Sequence, residues 1–166
     1  MFERYTEQAR RVIFFSRYEA SQFGSEWIEP EHLLLGLLRE DKALANRFLR
    51  FNSEVDSIRK EIEAQSTVGE KVSAAVDLPV SDASKRILKR AEAEANDLNH
   101  KRIGTEHLLL ALLLEESLAA AVLHKRGVRA DCVLHAVRRN AGPPARSEVP
   151  TSGAPNTGCS FWTRST

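Results

Sequence analysis

The strongest constraint on how this chain folds is an internal duplication. The stretch "EPEHLLLGLLRE" at residues 29–40 returns as "GTEHLLLALLLE" at residues 104–115, with eight of the twelve positions identical. The correspondence extends in both directions at a constant offset of 75 residues, so residues 5–63 and 80–138 are two copies of one unit. A repeat of this length indicates a duplicated supersecondary unit whose copies share one hydrophobic core.

Each copy has the pattern of four helices. Small and apolar residues at helical spacing mark the opening helix, and Thr6 and Ser81 stand at its N-cap position. The second helix begins at Pro30 or Thr105, and its nearly continuous leucines predict the most buried element of each copy. A third helix is predicted near residues 43–51 and 118–126, ending at Asn52 or Gly127, and a fourth near 53–64 and 130–140. No segment alternates as a strand would, so the sequence predicts an all-α fold of about eight helices.

The duplication also predicts the domain boundaries. Residues 1–140 form one domain, in which repeat one covers 2–64, a linker 65–79 and repeat two 80–140. Residues 141–166 are rich in Pro, Gly, Ser and Thr, and we expect a disordered tail that carries the aromatic pair Phe161-Trp162.

Composition narrows the classes of partner and compartment. The formal net charge is +1, and the pairs Arg10-Arg11 and Arg138-Arg139 are interpreted as solvated helix faces, so no nucleic-acid partner is predicted. The apolar runs are too short to span a bilayer, and the N-terminus lacks the apolar core of a secretory signal. The chain has two cysteines, Cys132 and Cys159, which favours a reducing cytoplasm over a disulfide framework.

Motifs of catalysis are missing from the sequence. It contains no G-x-x-x-x-G-K-[ST], H-E-x-x-H, G-x-S-x-G or C-x-x-C, so it predicts neither an ATPase core nor a common hydrolase site. The pairs Glu31-His32 and Glu106-His107 raise the alternative of a metal-dependent enzyme, which metal analysis would test. Adjacent helical residues point about 100° apart and share an ion poorly. We therefore predict no metal and no cofactor, and structural histidines that are hydrogen-bonded near a helix start.

The two glutamates allow two interpretations. Glu31 and Glu106 lie in the first turn of a helix, where a negative charge is favourable in itself. Alternatively, each glutamate acts together with the N-cap hydroxyl of another helix, Thr6 or Ser81. A carboxylate, a hydroxyl and free helix N–H groups would suit a ligand with an anionic end and a guanidinium end.

Four stretches carry a resemblance to a known family. "FERYTEQARRVI", "IEPEHLLLGLLRE", "SDASKRIL" and "RIGTEHLLLALLLE" closely resemble the double Clp repeat, the N-terminal domain of the ClpC/ClpA class of Hsp100 unfoldases, and most of all its ClpC branch. The resemblance covers about residues 2–140. It implies a bundle of two pseudo-twofold-related four-helix repeats that binds substrates or adaptors and does not catalyse a reaction. Because no ATPase modules follow, we expect a stand-alone or truncated Clp N-domain.

The resemblance also implies site residues. In some ClpC proteins this domain recognises phosphoarginine, with the glutamate of each Glu-His pair on the guanidinium and the residue opening each repeat beside the phosphate. Those roles map onto Glu31 with Thr6, and onto Glu106 with Ser81. A groove for adaptors or peptides maps onto three further positions, Phe2, Tyr5 and Val80.

Three departures from the family pattern concern these sites. Pro30 stands where the ClpC pattern usually has threonine, which removes a hydroxyl from the first pocket. Ser81 replaces a threonine, which is a mild change. Val80 stands where an aromatic residue is common.

The implied partners are proteins: Clp substrates, adaptors or a Clp unfoldase, bound by a monomer that contacts neither nucleic acid nor membrane. The alternative is a structural or decoy remnant of a truncated Clp ATPase with no active ligand pocket.

Overall fold

Two leucine-rich helices, one from each repeat, form the centre of the molecule. In a computed structural model of the chain, residues 3–49, 53–73 and 75–140 are described, and these residues form α-helices and no strand. The helices are α1 (Glu7–Phe23), α2 (Pro30–Glu40), α3 (Lys42–Phe48), α4 (Ser53–Gln65), α5 (Asp82–Asp97), α6 (Thr105–Leu114), α7 (Leu118–Lys125) and α8 (Ala130–Asn140). The all-α prediction, with four helices in each repeat, is confirmed.

The helix starts follow the sequence signals. The Thr6 hydroxyl accepts a hydrogen bond from the backbone N–H of Ala9 at 3.2 Å, and the Ser81 hydroxyl accepts one from Ser84 at 3.2 Å. The predicted N-caps of α1 and α5 are therefore confirmed.

The third helix of repeat one ends earlier than predicted, at Phe48 instead of near residue 51. Leu49 already has extended backbone angles, and both Phe48 and Leu49 are buried. The backbone leaves the helical conformation at Leu49, and both side chains pack in the core.

Close packing of α1 on α2 depends on a glycine. A β-carbon on Gly36 would lie 2.5 Å from Ser16 Oγ and 2.6 Å from the Val12 carbonyl oxygen. The two helices therefore approach closely here because residue 36 has no side chain. Both α2 and α6 bury almost every side chain, which confirms the prediction from their leucines, and they contact each other across the repeat boundary.

The repeats are joined by two short backbone bridges related by the pseudo-twofold axis. In the first, Tyr5 pairs with Ile103, and in the second Val80 pairs with Ile28. The N–H of Ile103 donates to Arg4 at 2.8 Å, and the N–H of Ile28 donates to Pro79 at 2.8 Å. The segment before each repeat's first helix is thus bonded to the segment before the other repeat's second helix.

The predicted linker packs against the end of α1. Gly69 donates its N–H to the Phe23 carbonyl at 2.8 Å, and Val72 donates to Ser21 at 3.0 Å. Gly24 takes a left-handed conformation with φ of 67°, and a β-carbon there would meet the Glu70 carbonyl oxygen at 2.3 Å. The linker is therefore held on the fold where only glycine leaves room for it.

Some predictions fall outside the described residues, namely those on Phe2, on Asn52 and on the tail 141–166 with Phe161-Trp162. The cysteines differ from expectation, because Cys132 on α8 is disulfide-bonded. Within the described ranges, no single helix is long and apolar enough to cross a membrane, although α6 and α7 together pass that test with a 95° bend between them.

Candidate ligand-binding site

The two histidines of the Glu-His pairs act as helix caps. The Nδ1 atom of His32 accepts the backbone N–H of Glu29 at 3.0 Å, and that of His107 accepts the N–H of Gly104 at 2.9 Å. Each ring thereby satisfies the N–H of the residue preceding its own helix. The prediction that these histidines are structural and hydrogen-bonded near a helix start is confirmed.

Burial keeps both rings neutral. It lowers the pKa of His32 from 6.5 to about 4. It also lowers the pKa of His107, although the Glu106 carboxylate acts in the opposite direction. A neutral ring whose Nδ1 accepts a hydrogen bond carries its proton on Nε2. Both caps therefore fix the same tautomer.

In repeat two the capping histidine contacts a second histidine. His107 Nε2 lies 2.7 Å from His100 Nδ1, and the two rings meet edge to face with centroids 4.9 Å apart. Because the cap places the proton of His107 on Nε2, that N–H donates to His100. The Nε2 atom of His100 then carries the other proton of the pair.

The group His100, Glu106 and His107 has the composition of a metal site, with ligand atoms within 4.8 Å of one another. A histidine that binds a metal through one ring nitrogen normally donates an N–H from the other. His107 does the reverse, since its Nδ1 accepts from Gly104 and its Nε2 holds the proton directed at His100. Neither nitrogen of this ring has a free lone pair, so the hydrogen-bond pattern does not suit a metal.

Glu106 lines an open cavity of about 320 Å³ at the boundary between the repeats. Its carboxylate is partly exposed, with 38% of the side-chain surface accessible. Asp41, the N-cap of α3, accepts the Leu44 N–H at 2.9 Å with one oxygen and the Thr105 hydroxyl at 2.7 Å with the other. The other lining residues are Gln8, Ala43, Leu44, Arg47, His100, Thr105 and Val137. The cavity thus presents two carboxylates and one guanidinium.

The hydroxyl predicted to work with each glutamate comes from the other repeat. The backbone N–H of Thr6 donates to the Ile103 carbonyl at 2.9 Å, which places the start of α1 beside the start of α6. Ser81 donates to Ile28 at 3.1 Å, beside the start of α2. The structure therefore brings Thr6 towards Glu106 and Ser81 towards Glu31. The predicted pairings of Thr6 with Glu31 and of Ser81 with Glu106 stay predictions. The two backbone bonds favour the crossed pairings instead, because the bridges between the repeats exchange the opening segments.

The corresponding region around Glu31 is more closed. Burial raises the pKa of the Glu31 carboxyl, and the charge of Glu29 adds to the effect. The Ser81 side chain is buried, and its hydroxyl lies 3.2 Å from the Ser84 hydroxyl. Pro30 occupies the place that Thr105 has in repeat two and carries no donor. The two glutamates are therefore equivalent in sequence but not in surroundings.

Of the three residues predicted for an adaptor groove, the two that the structure describes are buried or half-buried. Tyr5 is 5% exposed and belongs to the core, where burial raises the pKa of its hydroxyl to about 12. Val80 is half-buried in the second bridge, and Phe2 lies outside the described residues.

The fold and the site define an all-helical domain of two fused repeats with a polar cavity at the repeat boundary. A family profile described as the Clp repeat (R) N-terminal domain matches residues 4–126 and residues 81–157. The chain belongs to this family.

Relatives and solved structures agree with that assignment. The chloroplastic chaperone protein ClpC of Pisum sativum is 35% identical over 156 residues, which cover 93% of this chain and 17% of the relative. The chaperone protein ClpB of Oceanobacillus iheyensis is 38% identical over 130 residues, covering 77% of this chain and 16% of that protein. The chain therefore spans about a sixth of the length of these relatives.

Two solved N-terminal domains share the fold. That of the caseinolytic protease associated chaperone ClpD from Arabidopsis thaliana has a TM-score of 0.64 and 26% identity, over 86% of this chain and 97% of that one. That of Hsp104 from Candida albicans has a TM-score of 0.67 and 18% identity, over 84% and 93%.

Sequence reasoning did not identify Asp41, Arg47 and His100 as residues of the site. Asp41 follows α2 and caps α3, and His100 follows the left-handed residue Asn99 at the end of α5. Only the docking of the repeats brings these loops to one cavity, so no local pattern marks them.

Proposed function

We propose that this chain is a non-catalytic binding module for substrates or adaptors of the Clp unfoldase and protease system. We further propose that it recognises proteins phosphorylated on arginine at the cavity around Glu106. Membership of the Clp repeat family supports the first part. The mixed charge of the cavity supports the second.

The single observation that carries the ligand class is the pairing of carboxylates with a guanidinium in one open cavity. Phosphoarginine has a guanidinium group whose terminal nitrogen bears an anionic phosphoryl group. Glu106 and Asp41 offer acceptors for its N–H groups, and Arg47 offers a cation for its phosphoryl oxygens. The N-terminus of α1, close by at Thr6, adds a partial positive charge.

The two glutamates are proposed to differ in strength. Both glutamates are half-buried, but Glu106 lines an open cavity and stands beside the Thr105 hydroxyl, whereas Glu31 stands beside Pro30. A carboxyl that burial already pushes towards its neutral form is a weaker partner for a guanidinium. We therefore assign the main site to Glu106 and a weaker one, or none, to Glu31.

Titration calorimetry with free phosphoarginine tests this proposal, with arginine and phosphoserine as controls for the two halves of the ligand. Glu106→Gln keeps the shape of the side chain and is expected to weaken the Kd at least tenfold, which corresponds to about 1.4 kcal/mol. Glu31→Gln is expected to change it less, and Glu116→Gln, an exposed position outside the cavity, not at all. Absence of any heat with the unaltered protein would reject the phosphoarginine proposal and favour a structural or decoy domain.

Affinity purification tests the proposed partners. A Clp unfoldase, its adaptors or its substrates should be recovered by the unaltered protein. If Glu106→Gln and the unaltered protein recover the same partners in the same amounts, those partners bind elsewhere on the domain. We also propose that the chain is a monomer that contacts neither nucleic acid nor membrane. The cytoplasmic compartment stays a prediction, and the disulfide at Cys132 removes the cysteine argument on which it was based.

A further inference from the structure

A second surface, formed by repeat one alone, is built around a buried carboxylate. Glu19 on α1 is the only acidic side chain among the buried polar residues of the described ranges, with 2% of its side chain accessible. One of its oxygens accepts from Arg39 at 3.4 Å, and the other accepts from Arg59. A single carboxylate thus holds two guanidiniums in place.

The first of these guanidiniums is fixed further by aromatic rings. The Arg39 guanidinium lies 4.8 Å from the centroids of both Phe15 and Tyr18. Stacking of this kind restricts a long side chain that would otherwise move freely. Arg39 nevertheless keeps 46% of its side chain accessible, and Arg59 keeps 37%. Both are therefore preorganised and open to solvent.

Two cavities of about 420 and 470 Å³ meet at these arginines, and both are lined by Arg39 and Arg59. Their charged residues are four cations, Arg39, Lys42, Arg59 and Lys71, and two acids, Glu19 and Glu63. The groove therefore has a formal charge of +2, and Glu19 is already engaged by both arginines. Its apolar floor consists of Leu35, Leu38 and Ala45.

An exposed aromatic residue extends this groove. Phe14 is 63% exposed and lies one helical turn before Tyr18, so the two rings share a face of α1. Such a side chain next to a basic cleft is typical of a protein-binding surface.

Repeat two provides an internal comparison. At the positions 75 residues further on, Leu114 and Leu134 replace both arginines, and Glu94 pairs with Arg90 of its own helix at 3.0 Å. The fold alone therefore does not require the arginine pair, since the same architecture is completed in repeat two without it.

We infer that this groove, on α1, α2, α3 and α4 of repeat one, binds an acidic segment of a partner protein with interspersed apolar side chains. A guanidinium has five N–H donors. Glu19 engages one nitrogen of each arginine, and Glu63 pairs with a second nitrogen of Arg59 at 4.0 Å, so both arginines retain donors for carboxylates of the partner. The partly exposed Val55 and the exposed Val68, which also line the groove, offer contacts to the apolar residues. This site is separate from the cavity at Glu106 and does not depend on phosphoarginine binding.

Fluorescence anisotropy with a labelled twelve-residue peptide of Asp, Glu and Leu tests the inference. We expect binding that weakens as salt rises, and no binding of a peptide of the same length in which Lys replaces the acids. The double variant Lys42→Glu with Lys71→Glu should weaken the Kd by about tenfold or more, since both lysines are exposed and Glu19 keeps its partners. The matched control reverses two exposed lysines of repeat two, Lys89→Glu with Lys101→Glu, and should leave the Kd within about twofold of that of the unaltered protein.

Three results would overturn the inference: no binding of the acidic peptide, equal loss in the matched control, or tighter binding of a single-stranded oligonucleotide than of the peptide. Hydrogen exchange locates the contact independently. The bound peptide should protect amides of α1, α2, α3 and α4, and excess phosphoarginine should not displace it. Protection confined to the surroundings of Glu106 would place the peptide in the other site and reject the groove.

Discussion

The backbone N–H of Thr6 donates to the carbonyl of Ile103, three residues before Glu106 and in the other repeat. The equivalent bond joins Ser81 to Ile28, three residues before Glu31. Each candidate pocket therefore has one wall from each half of the chain. Any ligand bound beside Glu106 contacts residues on both sides of the repeat boundary.

This crossing predicts which residues act together in binding. Thr6→Ala should cost about 1 kcal/mol of stability through the lost cap, and it should also weaken phosphoarginine binding. In a double-mutant cycle measured by calorimetry, Thr6→Ala and Glu106→Gln should couple by at least about 0.5 kcal/mol. The effects of Thr6→Ala and Glu31→Gln on the binding free energy should be additive. Thr6→Ser, which keeps the hydroxyl, is the control, and coupling to Glu31 in place of Glu106 would contradict the crossed arrangement.

Stability should fall as the pH is lowered, in part because of His32. The unfolded chain binds a proton at His32 below its ordinary pKa of 6.5, whereas the folded ring does so only near 4. Proton binding to the unfolded chain therefore lowers the free energy of unfolding, by about 3 kcal/mol between pH 7 and pH 4. Urea unfolding at several pH values measures this loss.

The variant His32→Gln isolates that contribution. Glutamine at this position can still accept the Glu29 N–H, as in a capping box, but does not titrate. The stability difference between the unaltered protein and His32→Gln should shrink by about 3 kcal/mol over the same pH range. Groups that titrate elsewhere, such as His107 and Glu31, are common to both proteins and cancel. Parallel pH profiles would show that His32 does not carry the effect.

The tautomer of His107 predicts a result with zinc. Because both of its ring nitrogens are engaged, equimolar Zn²⁺ should leave the Tm unchanged to within about 1 °C. The same measurement on His100→Ala provides the control. A rise in Tm that His100→Ala abolishes would show that the His107 ring can give up its present hydrogen bonds and that the ion binds at this pair.

Glu19 and Glu94 occupy equivalent positions, and neutralising them should have unequal effects. Glu19→Gln removes a buried charge that pairs two half-exposed arginines, and we expect a loss of about 1–3 kcal/mol in urea unfolding. Glu94→Gln breaks a single i,i+4 pair with Arg90, whose side chain is 44% accessible, and should cost less than Glu19→Gln, about 0.5 kcal/mol. Equal losses of unfolding free energy in the two variants would show that the pairing of Glu19 with two arginines adds no stability beyond that of a single pair.

Local features were predictable from the sequence because their causes are local. The caps at Thr6 and Ser81, the start of α2 at Pro30 and the buried leucines follow from residue preferences within one turn of helix. The histidine caps were predictable in role for the same reason. Gly127, expected to end a helix in the left-handed conformation, does so with φ of 79°.

Features that depend on how the repeats dock were not predictable. Comparing copies in sequence suggests that Thr6 works with Glu31 of its own repeat, but docking exchanges the opening segments. The meeting of Asp41 with Thr105 and of Arg39 with Arg59 around Glu19 likewise joins residues distant in the chain. Periodicity identifies the buried face of a helix but not which neighbour covers it.

The two bridges have a consequence for how far the two pockets can differ. Each half gives the other the same backbone contacts that it receives, which is the isologous pattern of a twofold-symmetric homodimer. In a homodimer of single repeats the two pockets would have to be identical. In one polypeptide they need not be, and residue 30 is proline where the equivalent residue 105 is threonine.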